Sequence, residues 1–126
     1  MNPAPGFKKY PGHKVATQPS RAHIVVTLNG EVIADTREAV ELHESQSSSH
    51  VVAPVVYYVP REDVKMDRLV RTSHKTHCPF KGDAAYFSVV GGAENAVWSY
   101  EQPYDEMEAI KDRLAFYPDK FEIKPA

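Results

Sequence analysis

Apolar and polar residues alternate along short stretches of this chain, and turn residues separate the stretches. Ile24, Val26 and Leu28 alternate with His23, Val25 and Thr27, a period of two that predicts a β-strand. Asn29-Gly30 follows, a two-residue turn whose positions both need positive φ, and Val32-Ile33-Ala34 continues as the return strand. In that register Leu28 faces Glu31 and Val26 faces Ile33, which places Ile24, Val26, Leu28 and Ile33 on one face. Val40 and Leu42 predict a third strand. Glu44 falls on their side, so a carboxylate points to the core or its rim and needs a partner there. If the strand stops earlier, Glu44 is solvated.

Ser45 to Pro54 is polar and Ser-rich and reads as a flexible loop. Val55 to Val59 is a short apolar strand ended by Pro60, with one helical turn expected over Asp63–Met66. Asp83 to Val90 alternates Ala85, Phe87 and Val89 against Ala84, Tyr86 and Ser88, and Gly91-Gly92 breaks it. Asn95 to Glu101 then puts Ala96, Trp98 and Tyr100 on one face, completing a second hairpin. Asp105 and Glu108 have capping-box spacing ahead of Met107, Ile110 and Leu114, which predicts a helix ending near Arg113. Phe121 to Ile123 reads as an edge strand. Many short strands and one late helix predict a mainly β domain of antiparallel sheets over residues 21–126. Residues 1–20 carry four of the ten prolines and read as an extended N-terminal arm, either mobile or pinned by Tyr10 and His13.

Composition adds mainly exclusions. A chain of 126 residues fits one domain and can build a core without metal or disulfide support. The formal charge of −2 argues against nucleic acid or anionic membrane as a general partner. One cysteine forms no internal disulfide and supplies no four-cysteine zinc site, and it suits a reducing compartment. No apolar run approaches the ~20 residues of a membrane span, and the N-terminus lacks the apolar core of a secretory signal. The cytoplasm is the expected location.

Several pieces carry a family resemblance: Gly30-Glu31-Val32-Ile33-Ala34-Asp35-Thr36, Val56-Tyr57-Tyr58-Val59-Pro60-Arg61-Glu62-Asp63-Val64 and Thr76-His77-Cys78-Pro79-Phe80-Lys81-Gly82-Asp83-Ala84-Ala85-Tyr86. Glu94-Asn95-Ala96-Val97-Trp98-Ser99-Tyr100 and Leu114-Ala115-Phe116-Tyr117-Pro118-Asp119 complete the set. They resemble the domain of unknown function 427, over roughly residues 20–123. The resemblance implies a β-tent fold, one shared with methionine sulfoxide reductases of the R type and with zinc-bearing domains. The paired cysteines that hold zinc in such relatives have no counterpart here, so no structural zinc is expected. The family also bears a nucleotidyltransferase label, but this chain has no Gly-Ser turn followed by paired aspartates to hold two magnesium ions.

The densest chemistry lies in Thr76 to Tyr86. Cys78 is a candidate nucleophile, with His77 and Lys81 close in sequence, although strand neighbours point to opposite faces and the bland reading is a small buried cysteine. A sulfoxide reductase would commonly use a second, resolving thiol, which is absent. His74, His77 and Cys78 diverge along a strand and lack a fourth metal ligand. Lys81-Gly82 lacks the P-loop pattern, yet Lys81 can hold an anion as a point charge. Tyr58, Tyr86 and Trp98 suit an aromatic wall for a small planar ligand or, equally simply, core. Arg61 clamps a ligand anion or pairs with Glu44, Glu62 or Asp63.

The expectation is a small-molecule-binding β domain, with an enzyme of unassigned reaction left open. Glu44 and Cys78 are its candidate catalytic residues, and Tyr58, Arg61, Lys81, Tyr86 and Trp98 its ligand-binding residues. No cofactor is implied, and the partner is a small molecule, an anion by the Lys81 and Arg61 readings. The rival is a non-catalytic interaction domain with an inert Cys78, self-associating as a homodimer through the aromatic face.

Overall fold

The computed structural model describes residues 2–46 and 51–125. The chain is mainly β, with 49% strand and 14% helix, and every sheet is antiparallel. Eleven strands are described: β1 (His13–Pro19), β2 (Ile24–Leu28), β3 (Glu31–Thr36), β4 (Val40–Gln46), β5 (Val51–Val52) and β6 (Val56–Tyr58) in the first half. β7 (Leu69–Cys78), β8 (Gly82–Val89), β9 (Val97–Ser99), β10 (Leu114–Phe116) and β11 (Glu122–Pro125) follow. They form three sheets. One has the order β1-β4-β5, with β6 also on β4; the second is β10-β9-β8-β7; the third is β11-β2-β3. No helix among the described residues is long and apolar enough to cross a membrane.

Two apolar cores flank the β7–β10 sheet. Alternate residues of a strand face opposite ways, so β8 serves both. Phe87 and Val89 join Ile24, Val26, Ile33, Val97, Leu114 and Phe121 in one cluster. Ala84 and Tyr86 join Val40, Leu42, Tyr58, Tyr100, Met107 and Ile110 in the other. Because both faces are covered, β8 is buried along most of its length. Leu114 and Val59 exchange backbone hydrogen bonds of 2.8 Å, which ties the β6 end of the first sheet to β10.

The first hairpin turns at Asn29 (φ 51°) and Gly30 (φ 83°), as the sequence pattern requires. Leu28 does face Glu31, but Val26 faces Ala34 rather than Ile33. A bulge makes Ile33 the extra residue, and Ile33 and Ala34 are both buried.

Four further expectations are corrected. The N-terminal arm carries regular structure: helix α1 (Gly6–Lys9) and β1, which pairs with β4 from His13↔Gln46 to Pro19↔Val40. The Ser45–Pro54 segment carries strand at Ser45-Gln46 and Val51-Val52, with Ser45↔Val52 and Gln46↔Val51 paired, while residues 47–50 lie outside the described residues. The helical turn expected at Asp63–Met66 is instead two 3-10 turns, Arg61–Asp63 and Met66–Arg68.

The late helix is a 3-10 segment, Asp105–Ile110, broken at Met107 (φ −111°, ψ 20°). The expected cap, Asp105, has another partner. The Asp105 carboxylate accepts from the Asn2 N–H at 2.7 Å, and Glu106 accepts from the Ala4 N–H at 2.9 Å. Asp112, at φ 63°, then turns the chain, so Leu114 enters β10 rather than extending a helical stripe.

Candidate functional site

The turn joining β7 to β8 is Cys78-Pro79-Phe80-Lys81-Gly82, closed by the Cys78↔Gly82 strand pair and by the Lys81 N–H donating to the Cys78 carbonyl at 3.3 Å. It delivers Lys81 inward, where the residue is only 8% exposed. An ammonium that buried needs a counter-charge. Glu44 supplies it: Lys81 Nζ donates to Glu44 Oε1 at 2.9 Å. The strand β4 does run past Glu44, so the period-two rule places the carboxylate on the side of Val40 and Leu42. The other oxygen, Oε2, lies 2.7 Å from His13 Nε2 on β1. The His13 ring stacks on Phe80 with centroids 3.9 Å apart and an interplanar angle of 13°. Cys78 Sγ is 3.9 Å from Lys81 Nζ. Two strands of one sheet and the turn of another thus converge on one acid–base cluster.

Burial alone would push the Glu44 carboxyl up. The Lys81 hydrogen bond and charge, aided by His13, outweigh it and hold the group below its ordinary value. Glu44 is therefore an anion at neutral pH, and the Lys81–Glu44 pair is charge-balanced.

Aromatic side chains continue from this cluster. Trp98 Nε1 donates to the Tyr58 hydroxyl at 3.3 Å, and the Trp98 ring lies 4.5 Å from that of Tyr117. The Tyr86 hydroxyl is 3.0 Å from Thr76 Oγ1 and 3.4 Å from the Tyr117 hydroxyl. Tyr58, Tyr86, Trp98, Tyr117 and Cys78 belong to one packed cluster, in which Cys78, Trp98 and Tyr117 are half-buried. Burial pushes the Tyr58 and Tyr100 phenols up, at Tyr58 against the Trp98 hydrogen bond, so both stay neutral hydrogen-bonding groups. Burial and the Tyr86 hydrogen bond push Tyr117 up to about 12.

An N-terminal strap passes over the turn. Besides its ties to Asp105 and Glu106, the Gly6 N–H donates to the Pro79 carbonyl at 2.9 Å, and Phe7 meets Phe80 edge-on at 5.1 Å. Gly6 permits this approach, because a Cβ there would stand 2.7 Å from the Phe80 ring and 2.8 Å from the Pro79 oxygen.

Of the residues singled out by sequence, Glu44, Cys78 and Lys81 come together, and Tyr58, Tyr86 and Trp98 share the adjoining aromatic cluster. Arg61 has other partners. It donates to Glu101 at 2.8 Å, to Ser99 Oγ at 3.1 Å and to the Asp112 carbonyl at 2.6 Å, and shares none of these with Lys81. His77 pairs with Asp83 at 2.7 Å and His74 packs on Tyr86, so the two diverge. Among the described residues no group of three or more His, Cys, Asp or Glu is placed to hold a metal ion. A wide open polar cleft of about 890 Å3 runs between Thr72–Lys75 and Gly91–Asn95, and none of the acid–base cluster lines it. Sequence reasoning assigned no site role to His13, Phe80 or Tyr117. For His13 a signal existed, since His13, Val15 and Thr17 alternate in period two.

Arg61 supports the fold through Glu101, which also takes a two-pronged contact from Arg71. Both guanidiniums lie over the Phe87 ring. The Arg71 hydrogen bonds first, and those of Arg61 next, hold the Glu101 carboxyl at about 2. A depressed carboxyl stabilises the fold above its unfolded value, and that contribution is lost as pH falls toward the folded one. Between about pH 4.5 and 2, Glu101 should therefore remove roughly 1–2 kcal/mol of stability, after discounting for the half-exposed Arg71. Urea melts of wild type and Glu101→Gln across that range check this: the variant should start less stable at pH 7 and show a shallower acid loss.

No curated protein matches the chain. The family described as a domain of unknown function (DUF427), whose model name carries a nucleotidyltransferase label, matches residues 16–124. That match spans β2 to β10, the second half of β1 and most of β11, and with it Glu44, Cys78, Lys81, Tyr58, Tyr86, Trp98 and Tyr117, while His13 lies just before it; the chain is a member of the DUF427 family.

Proposed function

We propose that this protein is a small-molecule-binding β domain whose site is the Lys81–Glu44–His13–Cys78 cluster, walled by Tyr58, Tyr86, Trp98 and Tyr117. The observation that carries the reading is the inward Lys81 ammonium, held by a half-buried carboxylate and a thiol beside half-buried aromatic rings. Such convergence of a few polar groups on an apolar, aromatic lining is what small-molecule sites have in common. The Lys81 charge is already answered by Glu44, and Arg61 is held by Glu101. The arrangement therefore suits a polar, uncharged group on the ligand better than the anion first expected. As part of the same reading, the three sheets are assigned to the β-tent type and the protein to the cytoplasm, where its single cysteine would stay reduced.

Trp98 is the only tryptophan, so its fluorescence reports on this cluster alone. A metabolite screen should yield compounds that shift Trp98 emission and raise the melting temperature, as any ligand of the native state must. Lys81→Ala and Cys78→Ser should weaken those compounds. Unchanged binding of every hit by both variants would remove the site from this place.

One observation favours the rival reading of a non-catalytic interaction domain. Among the described residues, every buried side-chain nitrogen and oxygen has a hydrogen-bond partner, as in a purely structural network. A screen without Trp98 responses, together with a Cys78 that resists alkylation, supports that rival.

A further inference from the structure

We infer that Lys81 is an imine-forming lysine, and that the ligand carries an aldehyde or ketone group. The inference rests on the binding site proposed above and names its substrate class. Lys81 is the only buried lysine among the described residues. Its amine can lose a proton directly to Glu44 Oε1 at 2.9 Å, and His13 holds the second oxygen at 2.7 Å, which fixes the plane of the carboxylate. A lysine amine removed from water can add to a carbonyl carbon once its proton has passed to an acceptor such as Glu44.

The step balances without a redox partner. Lys81 passes one proton to Glu44, and the neutral amine forms a C–N bond to the carbonyl carbon. The attacking nitrogen sheds a proton to the carbonyl oxygen, which becomes a hydroxyl. Glu44 returns a proton to it, the C–O bond breaks, and water leaves. A protonated imine then faces the Glu44 carboxylate, so one positive and one negative charge stand there before and after. Glu44 handles protons at the reacting atoms, and His13 is a positioning residue. Cys78 Sγ, 3.9 Å from Nζ, is close enough to add reversibly to the same carbonyl. The aromatic cluster favours an aldehyde borne on a planar ring.

The test is reductive trapping on the folded protein. Benzaldehyde and glycolaldehyde are each added below one equivalent with cyanoborohydride, and peptide masses locate the secondary amine. Lys65 and Lys120, both exposed, are internal controls. Lys81 should be modified faster than either by at least about ten-fold, a modest value for acid–base assistance. Glu44→Gln should abolish that preference while the controls keep their rates. Should Glu44→Gln fail to fold, the wild-type map decides alone. Modification of Lys65 and Lys120 with Lys81 untouched overturns the inference. Trp98 emission separates the two levels. Benzaldehyde quenching without a Lys81 adduct leaves the binding site standing and removes the imine; neither quenching nor adduct removes both.

Discussion

Glu44→Ala should destabilise the protein by about 2–3 kcal/mol, more than Lys81→Ala at the same site. The difference lies in what each substitution leaves behind. Without Glu44, the Lys81 ammonium stays 8% exposed with no counter-charge, and His13 loses its hydrogen-bond partner. Without Lys81, the Glu44 carboxylate keeps His13 and can take up a proton. Complete burial of a broken pair costs about 3–5 kcal/mol, and the partial exposure of Glu44 lowers the figure here. In a domain of this size the loss should lower the melting temperature by roughly 5–15 °C. The Glu44→Gln/Lys81→Met double variant, which removes both charges, should recover most of the loss. Urea melts of Glu44→Gln, Lys81→Met and the double close the cycle. Single variants as stable as wild type would show that the pair is solvated in solution.

The second large effect is expected at Gly6. Any Cβ there meets the Phe80 ring at 2.7 Å and the Pro79 carbonyl at 2.8 Å. Phe80 cannot simply swing away, because His13 stacks on it and Phe7 packs against its edge. Gly6→Val should therefore free the strap at a cost of about 1–3 kcal/mol, the usual scale for overpacking. Trypsin reports it locally, since Lys8 and Lys9 are exposed on the strap. Their cleavage should accelerate by about ten-fold or more, as a loss of 1.4 kcal/mol implies. The β7–β8 turn should remain intact. An unchanged cleavage rate would mean that the strap is already open most of the time.

The parts of this fold that could be read from sequence are those decided locally. Asn29-Gly30 specifies its own turn, and the alternation in β2, β4 and β8 specifies which side chains turn inward. Period alone places Glu44 on the apolar side of its strand. What local pattern could not supply was partnership across the chain. β1 is Pro-flanked and only weakly alternating, and its identity as a strand depends on β4, with His13 opposite Gln46. The two ligands of Glu44 come from positions 31 residues before it and 37 after it. The helix expected from Asp105 fails for the same reason, because the Asp105 carboxylate binds the backbone of Asn2 and the neighbouring Glu106 that of Ala4. The turn marks Lys81 as special, but no local pattern names its counter-charge, and that charge turns an anion anchor into a balanced acid–base pair.

Alkylation of Cys78 in the native protein tests the central claim most directly, because the thiol stands between Lys81 and the aromatic cluster. A functional site predicts that Cys78 reacts with a small iodoacetamide under native conditions, and that a compound shifting Trp98 emission slows the reaction in proportion to its occupancy. Cys78 that labels only as fast as the protein globally unfolds, with or without such a compound, would contradict the claim and make the cluster part of the scaffold.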